Sequence, residues 1–519
     1  RKMLNIAMNL ERNASLNADK AAVLFADKSF SYSELNVYAN KVANGLKALG
    51  IQPEDRVALG CPNLPYFPMI YYGILKAGAV VVPLNVLLKP DEIAYHLQDS
   101  QARAYFCFEG TPELPMGDMG WEAFNNTDGC EHFVMVTADP AAPSKISGAV
   151  TLGSMLSDQA SEFDAVATES NDTAVVLYTS GTTGKPKGAE LTHSNMFSNA
   201  VASQVLLELK ENDVHLITLP LFHSFGQTVQ MNSCILAGAT MVLIARFDPD
   251  AVFNAMQNRG VTIFAGVPTM YIGLLNSPAA ENYDMKAIAS NLRIAMSGGS
   301  SLPVEVIKQF EEKYNVPILE GYGLSETSPV ATFNHLSHER IPGSIGQPII
   351  GVQVKVVDDQ GNELGPEQPG EILIKGHNVM KGYLGRPDAT AESIQDGWFH
   401  SGDIGKHDGQ GNFYIVDRLK EMIIRGGYNV YPREIEEVLM AHPSVAMVAV
   451  IGIPHEVHGE EIKAYVVTKD GYNNEEEMRV WAKGQLADYK YPRHIEFRDS
   501  LPMTATGKLL KKELKAELA

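Results

Sequence analysis

The sequence predicts an α/β protein. Its large N-terminal domain contains two helix-covered, mostly parallel sheets and a barrel-like subdomain, and a small α+β domain follows. Three observations lead to this prediction. The chain has 519 residues, which is too many for one compact core. From about residue 55 to residue 323, short apolar runs alternate with helix-length segments, a pattern typical of parallel sheets covered by helices. Beyond residue 343 the pattern changes twice.

The predicted parallel strands are short, strongly apolar runs. They read VALGC, AVVVPL, RAYFCF, HFVMVT, AVVLYT, HLITLPL, TMVLIA, VTIFAGVP, RIAMSG and VPILEGYG. One helix among them is marked at both ends, since Asp248 can cap it, Pro249 takes the first helical position and Gly260 suits its exit. Residues 69–88 approach the length of a membrane span, but charge, proline and glycine interrupt them. A buried helix followed by a strand is therefore predicted there.

Two later changes of pattern divide the rest of the chain. Residues 343–417 contain short alternating strands with Gly and Asp turns, which predicts an antiparallel, barrel-like subdomain. The segments that follow are a helix (REIEEVLMAH), two strands (VAMVAVIGI and IKAYVVT), a second helix (EEEMRVWAKGQLA) and a strand (HIEFRD). This is the content of a small α+β domain of independent size. We therefore predict an N-terminal domain over residues 1–417 and a C-terminal domain over residues 418–519.

Composition and net charge limit the classes of molecule that the protein is expected to bind. Hydrophobic residues make up 45% of the chain and the formal net charge is -20, the wrong sign for a protein that coats nucleic acid or anionic lipid. We expect no nucleic-acid partner and at most peripheral membrane contact. The four cysteines lie far apart without a CxxC pair, which argues against disulfides or a zinc site; they are Cys61, Cys107, Cys130 and Cys234. No secretion signal is recognisable, so we expect a cytoplasmic location. We also expect the protein to be a monomer or a homodimer.

The stretch YTSGTTGKPKG, residues 178–188, follows an apolar strand and is rich in glycine, hydroxyl groups and lysine. Its backbone N–H groups can cradle phosphate, with hydroxyl and ammonium donors beside them. It is not a Walker A motif, because Gly181 and Gly184 bracket only two residues and Lys185 is followed by Pro186. A polar surface turn is the alternative interpretation.

The extended string YTSGTTGKPKGAELTH resembles the phosphate-binding signature of the adenylate-forming superfamily, which includes acyl-CoA synthetases, adenylation domains of peptide synthetases and beetle luciferase. Further motifs of that family occur in the expected order and span most of the chain: PLFHSFG (220–226), GYGLSETSP (321–329), GWFHSGDIG (397–405), DRLKEMIIRGGYNVYPREIE (417–436) and PMTATGK (502–508). The resemblance implies a large N-terminal domain with a mobile C-terminal lid. It also implies two steps: a carboxylate attacks the α-phosphorus of ATP to give acyl-AMP and pyrophosphate, and a thiol then expels AMP.

The resemblance assigns the nucleotide to residues of four motifs. The phosphate-binding residues would be Thr179, Ser180, Gly181, Thr182, Thr183, Gly184 and Lys187. The residues around the nucleoside and α-phosphate would be Gly321, Tyr322, Gly323, Ser325, Asp403 and Arg418. Tyr322 would pack against adenine, Asp403 would accept from the ribose hydroxyls, and Glu326 would hold Mg²⁺. Taken singly, Tyr322 would more often be a core aromatic and Asp403 a turn residue.

The resemblance also places His223 at the border of an acyl pocket. No carboxylate partner can be named for it, so we assign His223 to substrate binding and gating rather than to general-base catalysis. The other predicted acid-binding residues are Phe222, Val267, Gly298, Gly299 and Ser325. No charged side chain occurs in residues 222–226, 266–270 or 297–299. An uncharged pocket favours a monocarboxylate with an aliphatic or aromatic tail, and the overall similarity favours a medium- or long-chain fatty acid.

Lys508 is assigned to catalysis, together with Lys187 and Glu326. It lies in the predicted small domain, so it can reach the α-phosphate only when that domain closes. The resemblance implies that the domain then rotates about a hinge at Lys420 and brings Gly427 to the tunnel for the CoA thiol. Alone, TGK followed by LLKKELK would indicate the start of a charged C-terminal helix.

Two competing motifs do not match, one because of its spacing and the other because a required glycine is missing. The string His455-Glu456-Val457-His458 is one residue short of the zinc motif HExxH, and GGSSL lacks the second glycine of GxSxG.

The prediction from the sequence is an AMP-forming acyl-CoA synthetase that uses ATP, Mg²⁺ and CoA. Its alternatives are a ligase that loads a carrier-protein phosphopantetheine, an aryl-CoA ligase and a non-catalytic nucleotide-binding or scaffold protein.

Overall fold

The computed structural model describes residues 3–179 and 185–518. Within these residues the strands form four sheets. Two of them are large and mostly parallel, one is a smaller antiparallel sheet, and the fourth belongs to the C-terminal α+β domain. The predicted fold class is confirmed.

A nine-stranded sheet has a parallel centre and antiparallel edges. Its strands, in order across the sheet, are Gln347–Pro348, Val330–Phe333, Ile318–Gly323, Ile294–Ser297, Ile263–Gly266, Val214–Ile217, Thr240–Leu243, Ala21–Phe25 and Lys28–Ser31. The pairs from Ile318–Gly323 to Ala21–Phe25 are parallel. The first strand of the chain joins this sheet by long-range pairing with Thr240–Leu243, and the second pairs with the first. The apolar pattern that begins near residue 55 does not include either strand.

An eight-stranded sheet carries the phosphate-loop motif at one side. Its strands, in order, are Gly382–Tyr383, Lys187–Thr192, Thr173–Thr179, Val80–Pro83, Arg56–Gly60, Ala104–Phe108, His132–Val136 and Val150–Thr151. The strands on the two sides of the phosphate loop pair antiparallel, with Thr179 opposite Lys187. The predicted strand AVVLYT is thus present at this position, and the returning strand Lys187–Thr192 was not among the predicted strands.

Helices cover the sheets. Those before residue 345 are Met8–Leu16, Tyr32–Ala48, Tyr66–Lys76, Pro90–Ser100, Met116–Asn125, Leu152–Ser157, His193–Leu207, Ser233–Ala237, Pro249–Asn258, Pro268–Asn276, Met285–Asn291 and Val304–Tyr314, with a π-helix at Phe225–Asn232 and 3₁₀ turns at Pro278–Asn282 and Ser325–Thr327. The capping prediction is confirmed, because the Asp248 side chain accepts from the Ala251 N–H. Residues 69–88 form the predicted helix and strand. Among the described residues, no helix has both the length and the apolar character needed to cross a membrane.

The nine-stranded sheet is buried on both faces. Ile217, Ala265 and Met296 belong to a hydrophobic cluster shared with the eight-stranded sheet. Their strand neighbours Leu216 and Phe264 belong to a second cluster, which continues into the C-terminal domain. Alternate residues of one strand point to opposite faces, so this sheet is the layer between the two clusters.

The remaining strands form the two smaller sheets. The antiparallel sheet contains Val352–Val357, Gly370–Gly376, Ile394–Gln395, Trp398–His407 and Phe413–Arg418, beside a short helix at Pro387–Ser393. The C-terminal sheet contains Ile423–Arg425, Tyr428–Val430, Val445–His455, Gly459–Thr468 and His494–Phe497, and its helices are Pro432–Met440, Glu475–Gln485 and Lys511–Ala516. The four cysteines are buried and free.

Candidate functional site

The residues predicted to hold the nucleoside meet between two sheets. Tyr322, at the end of the strand Ile318–Gly323, donates its hydroxyl to Asp403 at 2.5 Å. Asp403 pairs in register with Arg418 across two strands of the antiparallel sheet, and the Arg418 Nε lies 4.0 Å from its carboxylate. Burial raises the pKa of Asp403 and the guanidinium opposes that rise. Asp403 is therefore a buried hydrogen-bond acceptor that lies beside the Tyr322 ring.

Close packing explains why Gly321 and Gly323, on either side of Tyr322, are glycines. A Cβ on Gly321 would collide with the Phe333 ring, and one on Gly323 would collide with the Pro329 carbonyl. Both glycines therefore let neighbouring backbone and side chains approach Tyr322 closely. Ser325 starts the 3₁₀ turn that follows, so the motif passes directly from the nucleoside residues to Glu326.

Glu326 lies beside a tyrosine that sequence reasoning missed. Tyr383 donates its hydroxyl to the Glu326 carboxylate at 2.9 Å. The ammonium of Lys187 lies over the ring of the same tyrosine, 4.6 Å from its centroid. Burial raises the pKa of Glu326, and both the Tyr383 hydrogen bond and the Lys187 charge oppose that rise. Tyr383 thus contacts two predicted catalytic residues at once.

The two ends of the phosphate loop are described. Thr179 ends one strand and Lys187 begins the next, and the Thr179 hydroxyl lies 3.4 Å from the Lys187 carbonyl. Beyond the loop, the Tyr95 hydroxyl donates to the Pro186 carbonyl at 2.8 Å. The predicted phosphate-binding residues Ser180, Gly181, Thr182, Thr183 and Gly184 lie outside the described residues.

The predicted acyl-pocket residues lie around the π-helix. Phe222 and Val267 are buried, and a Cβ on Gly298 would collide with the ring of Phe225. The Phe225 N–H donates to His223 Nδ1 at 3.4 Å, which leaves Nε2 as the protonated nitrogen of the neutral ring. Burial, together with a nearby lysine, lowers the pKa of His223 to about 3. His223 is therefore neutral at physiological pH, which suits a hydrogen-bond donor better than a general base.

Lys508 enters the site from the C-terminal domain. A Cβ on Gly299 would lie 3.1 Å from Lys508 Cε, and Thr269 donates a hydrogen bond to the carbonyl of Gly507. Burial and the charge of Arg418 lower the pKa of Lys508 to about 8, while Asp403 and Glu326 oppose that shift. At pH 7 the side chain is thus mostly protonated, and its charge acts on residues of the nucleotide site and of the acyl pocket.

The remaining two predicted residues, Lys420 and Gly427, belong to turns of the C-terminal domain. Lys420 lies in the turn after the strand Phe413–Arg418, at the start of the C-terminal domain. Gly427 lies in an exposed hairpin turn with a φ of +83°, and the space that a Cβ would take there has no atom within 4 Å. Their roles as hinge and CoA contact stay predictions.

Tyr383 is a site residue that sequence reasoning missed. Phe225, in contrast, lies within residues 222–226, one of the stretches predicted to form the acyl pocket. Tyr383 had no local signal, because it reaches Glu326 only after Gly382–Tyr383 pairs with residues 189–190 of the strand that follows the phosphate loop.

A cluster in the C-terminal domain offers metal-ligating side chains. Ligand atoms of His455, His458 and Glu461 lie within 4.8 Å of one another. However, Arg425 makes two hydrogen bonds to the Glu461 carboxylate, at 2.7 and 3.1 Å, and His455 Nδ1 accepts from the N–H groups of residues 457 and 458. These contacts give the donors other partners and leave the cluster a poor metal site.

Comparisons with known proteins cover nearly the whole chain. A family model described as AMP-binding enzyme matches residues 10–384, and one described as AMP-binding enzyme C-terminal domain matches residues 434–508. A long-chain-fatty-acid–CoA ligase of Bacillus subtilis (strain 168) is 36% identical, over 98% of this chain and 93% of the relative. A feruloyl-CoA synthase of an Amycolatopsis species is 37% identical, over 97% of each chain.

A solved structure resembles the fold over nearly the whole chain. ATP-bound MatB from Rhodopseudomonas palustris has a TM-score of 0.89 at 32% identity, over 99% of each chain. The apo form of the same protein, at the same identity, has a TM-score of 0.80. By this whole-chain measure, the structure described here is more similar to the ATP-bound form than to the apo form.

Proposed function

The chain belongs to the AMP-binding enzyme family and is an AMP-forming acid–thiol ligase, an acyl-CoA synthetase; on that premise we propose that its acid is a medium- or long-chain fatty acid. The observation that carries the proposed mechanism is the position of Lys508, and the choice of acid is supported by the uncharged pocket segments described below. Its charge acts on Asp403 and Glu326 on one side and on His223 on the other. Lys508 thus stands where a nucleotide and an acid would meet.

In the first step, the acid's carboxylate oxygen attacks the α-phosphorus of ATP, and the bond from that phosphorus to the bridging oxygen of pyrophosphate breaks. The carboxylate is already ionised, so this step needs no general base. Lys508 aligns the carboxylate and stabilises the negative charge that grows at the α-phosphate. The Nε2–H of His223 donates to the acid and orients it.

Magnesium is implied by the family, and the residues present fit it. Glu326 offers a carboxylate, a hard oxygen ligand, and its hydrogen-bond partner is the neutral hydroxyl of Tyr383. That hydroxyl orients the carboxylate without cancelling its charge. When bound, the ion would neutralise charge on the phosphates, and Lys187 would add a second positive charge beside them.

In the second step, the CoA thiol attacks the acyl carbon, and the bond from that carbon to the AMP oxygen breaks. We infer that the C-terminal domain rotates about Lys420 between the steps. Lys508 then leaves the nucleotide and the hairpin that carries Gly427 takes its place. The exposed position of Gly427 supports this role, since the hairpin turn is free to form a new contact.

The walls of the acyl pocket support an uncharged tail. Residues 222–226, 266–270 and 297–299 carry no charged side chain, so a second carboxylate or an amino group would be desolvated without a partner. An aryl acid is the second candidate, because the feruloyl-CoA synthase is 37% identical to this chain. A cytoplasmic location and a monomeric or homodimeric state stay predictions.

A panel of acids tests the proposal. Acetate, medium- and long-chain fatty acids, ferulate, benzoate, malonate and an amino acid are each supplied with ATP, Mg²⁺ and CoA, and pyrophosphate and AMP are measured. We expect the highest kcat/KM with a medium- or long-chain fatty acid. A tenfold preference for malonate or the amino acid, about 1.4 kcal/mol of transition-state binding, would contradict the uncharged pocket. The same preference for ferulate would select the aryl alternative.

A further inference from the structure

The loop of residues 298–304 connects the acyl-pocket wall to a helix. It leaves the strand Ile294–Ser297 at Gly298 and ends at the helix Val304–Tyr314. The residue before that helix is Pro303, whose side chain makes no capping hydrogen bond. The first N–H groups of a helix have no partner within the helix, so this helix depends on an acceptor from elsewhere.

The large domain holds the middle of the loop. Glu320 is buried on the strand Ile318–Gly323. Its carboxyl accepts from the N–H of Gly343 at 3.2 Å and from the N–H of Leu302. Since these residues all belong to the large domain, this contact is independent of the position of the small domain.

The small domain contacts the loop near both of its ends. Glu437, on the helix Pro432–Met440, accepts from the N–H of Val304 at 2.6 Å. Near the other end, Lys508 packs over Gly299. The small domain therefore supplies the missing helix cap and covers the acyl-pocket glycine in the same arrangement.

The surroundings suit a carboxylate at this position. A negative side chain is stabilised at the N-terminus of a helix by the free N–H groups and the helix dipole. Burial raises the pKa of Glu437, but Arg433, one turn earlier on its own helix, opposes that rise. Arg433 also opposes the rise in the pKa of Glu320. The positive charge of Arg433 thus favours the ionised form of both carboxyl groups that hold the loop, Glu320 in the large domain and Glu437 in the small domain.

We propose that Glu437 is a positioning residue that couples closure of the small domain to the shape of the acyl pocket. In the closed arrangement, Glu437 fixes Val304 and, through the loop, the two glycines that line the pocket. When the small domain rotates, the N–H of Val304 loses this acceptor and the loop keeps its tie to Glu320. The inference rests on the proposed two-step function, because it assigns Glu437 to the first step.

The test compares Glu437→Ala and Glu437→Gln with Glu434→Ala. Glu434 is an exposed residue of the same helix that contacts Lys490 within the small domain, at 2.5 Å, so it controls for damage to that helix. Pyrophosphate release from acid and ATP reports the first half-reaction. Conversion of synthetic acyl-AMP and CoA to acyl-CoA reports the second.

We expect Glu437→Ala to slow pyrophosphate release about tenfold, the size of one lost helix cap, and to raise the KM for the acid. The second half-reaction should stay at the wild-type rate. Glu437→Gln keeps a side-chain acceptor and should recover most of the first half-reaction, and Glu434→Ala should match the wild type.

Three results would overturn the role of Glu437: equal losses in both half-reactions, no loss in either, or the same loss in Glu434→Ala. The failure of the proposed function looks different. In that case the wild-type protein itself would release no pyrophosphate with any acid. If the wild type completes both steps and Glu437→Ala is unimpaired, the proposed function stands and only the coupling through Glu437 is refuted.

Discussion

The two sides of the site are held in different ways. Tyr322 and Asp403 contact each other within the large domain, and strand pairing fixes Asp403 opposite Arg418. Lys508 instead reaches the site on a loop of the small domain, where the neighbouring Gly507 accepts from Thr269. If the small domain rotates as proposed, a residue fixed in the large domain can act in both half-reactions, whereas Lys508 can act only while the small domain is closed.

Lys508→Ala gives the largest expected effect and tests this difference directly. The variant loses the charge that we propose stabilises the α-phosphate in the first half-reaction. One such positioned contact is commonly worth about 10²–10³ in rate. We therefore expect pyrophosphate release to fall by that factor, while synthetic acyl-AMP and CoA still react at near the wild-type rate.

The matched control is Lys511→Ala, which removes another lysine of the same C-terminal segment, one that contacts Glu436 within the small domain at 3.2 Å. It should leave both half-reactions near the wild type. If Lys508→Ala slows both half-reactions equally, Lys508 serves both arrangements and the contrast between the two sides is wrong.

The sequence predicted the parts of this site that depend on local signals. The apolar runs mark the parallel strands, and the Asp248–Pro249 pair marks a helix start, because each signal acts on residues close in the chain. The motif residues Asp403, Glu326 and Lys508 were named from resemblance, and the structure places them within reach of one another's charge.

Other parts depend on pairings between distant segments. The strands Ala21–Phe25 and Gly382–Tyr383 join sheets whose other members lie far away in sequence. The contact of Tyr383 with Glu326 and the contact of Glu437 with Val304 follow from such packing. Neither contact produces a periodicity or a motif spacing in the sequence, so neither could be predicted from local sequence patterns.

Asp403→Asn tests the fixed side. The variant keeps one acceptor but loses the charge that, in the proposed role of Asp403, strengthens hydrogen bonds to the ribose hydroxyls. A hydrogen bond to a charged group is worth about 1.5–3 kcal/mol, so we expect losses of roughly tenfold to a hundredfold. The loss should be similar in both half-reactions, because the nucleotide is bound in each. A loss confined to pyrophosphate release would place Asp403 in the first step alone.

Tyr383→Phe has a smaller expected effect. It removes the hydroxyl that orients Glu326 and keeps the ring beneath Lys187. One lost hydrogen bond to a partly exposed carboxylate should slow pyrophosphate release about tenfold at limiting Mg²⁺. Excess Mg²⁺ should recover part of the rate, and calorimetry should show weaker binding of Mg²⁺-ATP. An unchanged Mg²⁺ requirement would separate Tyr383 from the metal.

Glu320→Gln has the smallest expected effect on activity and tests the tie within the large domain by pH. Burial raises the pKa of Glu320 to about 8, so the folded chain keeps a proton there that the unfolded chain loses above about pH 4.5. The folded state therefore binds more protons between these two values, and this residue's contribution to stability falls as the pH rises through that window, by at most about 1.4 kcal/mol per pH unit. Glu320→Gln cannot titrate and should lack this slope. Thermal unfolding midpoints of both proteins at pH 5.5, 7 and 8.5 measure it, and parallel curves would show that Glu320 does not hold the loop as a protonated, buried carboxyl.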